Sequence, residues 1–231
     1  AEAIQTLKNN GYEPFIATGR SSAETRDIME SANIHSGIFM NGQVVLYRDQ
    51  LVYSSEIPTE TVEKFHQMVK EDGYGLTAYN DKQFYLVASS PGAKDAYGFI
   101  HSNPPALNPD FYKENPINMM LFISLPPAEE KYKVAFPNLD FLRNTPYSVD
   151  VISKGNSKAE GIKRFLEHLN QEDAKTYAFG DGPNDIEMLQ AVSHPVAMGN
   201  ALPILKEIAE FITTDNTDNG IVNGLKHYGL I

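Results

Sequence analysis

Short apolar runs alternate with amphipathic stretches at both ends of this chain, and the middle has a different texture. Near the amino end, Phe15-Ile16-Ala17 is a short apolar strand that stops at Thr18-Gly19-Arg20. Ser21 and Glu24 have capping-box spacing, and Ile28 and Met29 give the helix that follows an inner face. Ile38-Phe39-Met40, a turn at Asn41-Gly42 and Val44–Tyr47 predict a hairpin, with a further strand at Leu51-Val52-Tyr53. Towards the carboxyl end, Val149–Ile152, Tyr177–Phe179, Pro195–Met198 and Phe211–Thr214 read as strands. Helical spacing separates them, at Ile162, Phe165, Leu166 and Leu169 and again at Ile186, Leu189 and Val192. Strand, helix and strand joined by short links imply a parallel α/β sheet, and ligands bind such sheets at the carboxyl ends of the strands.

Between Pro58 and Pro146 helices stand beside hairpins instead. Val62, Phe65 and Val69 mark a helix, Gly75–Tyr79 and Phe84–Ala88 read as paired strands, and a second helix is expected near Ala93–His101. Asn118–Ser124 reads as a buried strand and Pro127–Phe136 as a helix. The expected organisation is therefore a core from residues 1–57 and 147–231, its sheet built from both ends of the chain, with an α+β domain inserted at 58–146.

The 231 residues suffice for a buried core without staples. There is no cysteine, which excludes disulfides and thiolate zinc sites. A net charge of −11 argues against non-specific binding to nucleic acid or anionic membranes, yet leaves room for a small anion held by a few local donors. No apolar run approaches the roughly 20 residues of a membrane span, and the amino end has no signal-peptide pattern. A cytoplasmic location is the expectation.

Gly180-Asp181-Gly182-Pro183-Asn184-Asp185 carries the most chemistry. It follows an apolar strand and opens a helix, so Asp181 stands at the sheet's carboxyl edge and Asp185 in the first helical turn. Two carboxylates and an amide there suit a hard cation such as Mg2+. An isolated Asp-Gly is an ordinary turn and an Asp near a helix start an ordinary cap, but the six-residue pattern is far more specific. Thr18 can donate its hydroxyl to a phosphoryl oxygen, or it and Ser21 only start the next helix. Lys158 opens a helix, where the dipole disfavours a cation; a bound phosphate would remove that penalty, whereas an ordinary lysine would be solvated there. Lys154 competes for the same role. For Asn41-Gly42 a hairpin turn is explanation enough by itself. No P-loop, dinucleotide fingerprint or nucleophile elbow occurs, and the six histidines show no ligand pairing.

Together, Ala17–Arg20, Met40–Gly42, Lys154–Lys158, Gly180–Asp185 and Val196–Ala201, with Thr213–Asp215 through Gly220-Ile221, resemble the Cof-type phosphatases of the haloacid dehalogenase-like superfamily in order and spacing. The resemblance implies a Rossmann-like α/β core with an inserted cap that supplies specificity. It also implies a Mg2+-dependent phosphatase acting on small phosphate esters, sugar phosphates above all, with Thr18 and Lys158 on the phosphate and Asp181 on the metal. Asp185 would be a second acidic group, ligating directly or through water. Asn184 would contact phosphate or water, and Gly19, Arg20, Asn41 and Gly42 would line the site. The family's first motif, an Asp-x-Asp holding the nucleophile and the general acid/base, occurs nowhere in the sequence. The chain by itself is therefore expected to be inactive, its nucleophile-bearing strand missing. A non-catalytic phosphate-binding or scaffold protein of the same fold is the alternative.

Overall fold

A glycine ends the first helix. In the computed structural model, which describes residues 2–231 apart from the side chain of Asn144, α1 runs over Glu2–Asn9. Gly11, at φ 88°, lets its own N–H reach the Lys8 carbonyl and the Tyr12 N–H the Leu7 carbonyl. These are the two bonds of a Schellman stop. After it come β1 (Ile16–Ala17), α2 (Ser22–Ala32), β2 (Gly37–Phe39), β3 (Val44–Tyr47) and β4 (Gln50–Ser54). The capping box is present: the Glu24 carboxylate accepts from the Ser21 N–H and hydroxyl at 2.8 Å each.

The next stretch holds α3 (Thr59–Asp72), β5 (Gly75–Tyr79), β6 (Phe84–Ala88), α4 (Ala93–Phe99), α5 (Phe111–Glu114), β7 (Met119–Ile123), α6 (Glu129–Ala135), β8 (Leu139–Thr145) and β9 (Ser148–Ser153). Its strands form one sheet in the order β6-β5-β7-β9-β8, antiparallel throughout. Period-two alternation sends Leu76, Ala78, Met120, Phe122, Val149 and Val151 into one core with Phe65 and Tyr132. Fully burying side chains of this size contributes about 1.5–3 kcal/mol each.

The chain then continues through α7 (Lys158–Leu169), β10 (Tyr177–Gly180), α8 (Ile186–Ala191), β11 (His194–Ala197), α9 (Pro203–Ile208), β12 (Phe211–Ile212) and α10 (Gly220–His227). Contacts divide the chain into two units. The first comprises residues up to Thr18, Thr25–Tyr53 and Ser157–Ile231, and the second Gly19–Glu24 and Ser54–Asn156.

Two expectations change. Val149–Ile152 was assigned to the parallel core, but β9 pairs antiparallel with β7 and β8 inside the second unit. Pro146 sits in the turn of the β8–β9 hairpin, where Thr145 Oγ1 accepts from the Tyr147 and Ser148 N–H groups. The unit's borders by contact are Ser54 and Asn156, not 58 and 146. The strands of the first unit also do not form one sheet. They make a four-stranded sheet, β1-β2-β3-β4, and a parallel three-stranded one, β10-β11-β12, with β1 and β10 each at an edge. In the first, β1 and β2 are parallel and β2 and β3 antiparallel. Ala17 and Ile162 pack against the apolar clusters of both sheets, which joins the two.

In the second unit Glu129 and Arg143 form a largely buried ion pair, with Nη2 to Oε2 at 2.6 Å and Nε to Oε1 at 2.7 Å. The bonds from Arg143 hold the Glu129 carboxyl below its ordinary value. A depressed carboxylate contributes stability above the unfolded-state value, near 4.3, and loses it as pH falls through the folded one. Arg143→Met is expected to destabilise this unit by roughly 2 kcal/mol at pH 7. It should also flatten the acid limb of stability, measured by urea titration between pH 7 and pH 3.

Candidate active site

In the first unit the segment after β10 turns back on itself. The Asp185 carboxylate accepts the Asp181 N–H at 3.0 Å and the Gly182 N–H at 3.1 Å on Oδ2, and Lys158 Nζ at 2.6 Å on Oδ1. A Cβ on Gly180 would lie 2.7 Å from the Asp185 Cβ, so a side chain there would push the carboxylate out. The ion pair is buried: the Lys158 and Asp185 side chains are 6% and 8% exposed. Lys158 is therefore not a solvated surface lysine, and Asp185 offsets the unfavourable cation at the start of α7. Ser157 caps that helix, accepting the Glu160 N–H at 3.3 Å. A carboxylate offers about four lone-pair positions. Asp185 has three of them occupied, so it has room for one direct bond to a cation at most.

The loop between β2 and β3 lies against the same segment. Asn41 adopts the left-handed conformation, φ 54° and ψ 38°, which asparagine tolerates. Its N–H donates to the Thr18 carbonyl at 3.1 Å, and its side-chain oxygen accepts from Asn184 Nδ2 at 3.2 Å. Gly42, at φ 96°, is packed against the backbone of Ser157. Thr18, Asn41, Gly42, Lys158, Asn184 and Asp185 thus form one connected set. Gly19 and Arg20 fall in the second unit, with Arg20 exposed. Lys154 is also exposed, its Nζ 3.4 Å from the Pro137 carbonyl.

Asp181 is exposed, and Asn200 Nδ2 donates to its Oδ2 at 2.8 Å. Its Oδ1 makes no hydrogen bond among the described residues. Those residues also contain no group of three or more His, Asp or Glu able to hold a metal ion. Mg2+ binds through one or two carboxylates and keeps several waters. Asp181, exposed and with one carboxylate oxygen free of hydrogen bonds, fits the chemistry of a single ligand to such an ion. The contact of Asn200 with Asp181 escaped sequence reasoning; the available signal was a Gly-Asn pair one residue past a strand of the parallel sheet.

A description of haloacid dehalogenase-like hydrolases matches residues 1–225. The chain belongs to this family. It is similar to "Putative phosphatase YkrA" of Bacillus subtilis (strain 168), with 36% identity covering 100% of this chain and 90% of that protein. A crystal structure of a hypothetical protein from Geobacillus kaustophilus HTA426 covers 100% of this chain and 90% of its own, at TM-score 0.93 and 32% identity. The HAD subclass IIB sugar phosphatase BT4131 covers the same shares, at TM-score 0.84 and 27% identity. The fold of this hydrolase is accordingly the Rossmann-like α/β core with an inserted cap. No helix among the described residues is long and apolar enough to cross a membrane.

Proposed function

We propose that this hydrolase is a Mg2+-dependent phosphatase of small phosphomonoesters, sugar phosphates first among them, working through an aspartyl-phosphate. The observation that carries the reading is the buried Lys158–Asp185 pair at the start of α7. An ammonium has three donors, and Asp185 uses one, which leaves two for phosphoryl oxygens. Asp185 also fixes the Asp181 backbone, so the cation and the metal-binding carboxylate are held by one side chain. Thr18 would add a hydroxyl donor and Asn184 an amide, and Asn41 and Gly42 would line the site. Bound Mg2+ would supply positive charge against the phosphoryl oxygens, the electrostatic stabilisation that phosphoryl transfer chiefly needs. Asp185, with one lone-pair position left, would ligate through water more readily than directly. Sugar phosphates are favoured by the likeness to the sugar phosphatase BT4131.

The nucleophile is assigned to a strand this sequence does not contain. The sequence has no Asp-x-Asp, and β1 and β10, whose ends carry Thr18 and Asp181, are both sheet edges able to pair with one more strand. In the two-step route a carboxylate oxygen on that strand bonds to phosphorus as the bond to the ester oxygen breaks, and water then hydrolyses the acyl phosphate. The test is p-nitrophenyl phosphate hydrolysis with Mg2+, by the 231-residue chain and by a version carrying an amino-terminal strand that ends in Asp-x-Asp. The longer protein should turn over and the shorter one should stay at the buffer rate. Turnover by the shorter chain, lost on Asp181→Ala, would overturn the nucleophile assignment. A longer protein that binds phosphate without turnover would point to the non-catalytic alternative.

A further inference from the structure

Asn200 holds two partners at once. Its Nδ2 donates to Asp181 Oδ2 at 2.8 Å, and its Oδ1 accepts the Asn216 N–H at 3.2 Å. The segment around it is tightly seated. The Gly199 N–H donates to the Thr214 carbonyl at 3.0 Å, and a Cβ on Gly199 would lie 2.6 Å from the Asp215 nitrogen. The Leu202 N–H donates to the Asp181 carbonyl at 3.2 Å, and Lys206 Nζ to the Gly199 carbonyl at 2.6 Å. The turn after β11 is thus bonded to the Asp181 backbone on one side and to the loop before α10 on the other.

We propose that Asn200 is a positioning residue for the metal-binding carboxylate, and that it couples cation binding at Asp181 to the order of the loop around Asn216. This rests on the Mg2+ assignment made for Asp181. An aspartate carboxylate rotates broadly about its last torsion. The amide fixes Oδ2 and so presents Oδ1, the oxygen without a hydrogen bond, in one orientation. Carboxylates that ligate metals are themselves commonly hydrogen-bonded, and losing such a partner typically costs about 10–100-fold in metal affinity or activity. The residue type is specific to the task. Asparagine is short and carries both a donor for the carboxylate and an acceptor for the backbone N–H. Aspartate has no donor when ionised and would repel Asp181. Serine offers only one atom for two partners lying on different sides.

The probe is the metal alone. Mn2+ binding would be followed through the paramagnetic resonance signal of the free aqua ion, in the chain carrying an amino-terminal strand that ends in Asp-x-Asp as the parent, and in its Asn200→Ala and Asp181→Ala forms. The parent should bind, Asp181→Ala should not, and Asn200→Ala should bind about 10-fold more weakly. Amide exchange at Asn216 supplies a second readout that a merely structural bond would not move. Mg2+ should slow exchange there in the parent and leave it unchanged in Asn200→Ala. Equal Mn2+ affinity in the parent and Asn200→Ala, with Asp181→Ala dead, would overturn the positioning role and leave the metal assignment standing. A parent whose Mn2+ binding survives Asp181→Ala would overturn the metal assignment and the role of Asn200 with it.

Discussion

Replacing Lys158 by alanine is expected to destabilise the core by about 3–5 kcal/mol, the usual result of removing one partner from a buried ion pair. The reason lies in what is left behind. Asp185 stays buried with its two backbone donors, but its charge loses the ammonium 2.6 Å away. A double variant, Lys158→Met with Asp185→Asn, should recover much of the loss, because the asparagine oxygen can still accept the Asp181 and Gly182 N–H groups and no charge remains to be balanced. Catalysis should not recover. In the protein that carries the nucleophile strand, Lys158→Ala should lower kcat by about 10^2–10^3, the range for losing one group that stabilises transition-state charge. Lys154→Ala should stay within about 0.5 kcal/mol of the parent and keep its activity, since Lys154 is exposed. Urea titrations and turnover of p-nitrophenyl phosphate measure both effects. If Lys154→Ala proved the more damaging change, the phosphate clamp would have to be reassigned.

What could be read in the sequence was local. Gly180–Asp185 lies where its pattern put it, between β10 and α8, because a short apolar run, two glycines and a first-turn acid specify a strand-to-helix turn without help from elsewhere. The capping box at Ser21 and Glu24 was legible for the same reason. Partnerships across the chain were not. Lys158 and Asp185 are 27 positions apart, and each could be given a role without any sign that the two touch. The same holds for Asn200, which meets Asp181 and Asn216 only after the fold brings three loops together. The sheet to which β9 belongs was misassigned because Val149 and Val151 alternate with polar neighbours as they would in either kind of sheet. Its partner β8 went unread because the pairing slips between Leu142 and Thr145, and the run carries Asp140 and Arg143. The missing link was long-range pairing, which periodicity alone does not encode.

Gly42→Ala should be as damaging as the loss of Lys158, and a second glycine serves as its control. Gly42 and Gly11 both have left-handed backbones, at φ 96° and 88°. Alanine at either site meets the conformational penalty, of order 1–2 kcal/mol. At Gly11 nothing else lies within 4 Å of the added Cβ. At Gly42 the Cβ would overlap the Ser157 carbonyl oxygen and stand 2.7 Å from its carbon and 3.1 Å from its nitrogen. That neighbour is backbone and caps α7, so it has no rotamer by which to move away. Relief requires the loop or the start of α7 to shift, and Lys158 is the first residue of that helix. Gly11→Ala should therefore cost about 1–2 kcal/mol and leave turnover intact in the version that carries an amino-terminal Asp-x-Asp strand. Gly42→Ala should cost more than about 4 kcal/mol, a range that marks a specific steric failure, and it should reduce kcat even in the fraction that folds. Equal losses from the two substitutions would mean that the approach of Gly42 to Ser157 does not hold Lys158 in place.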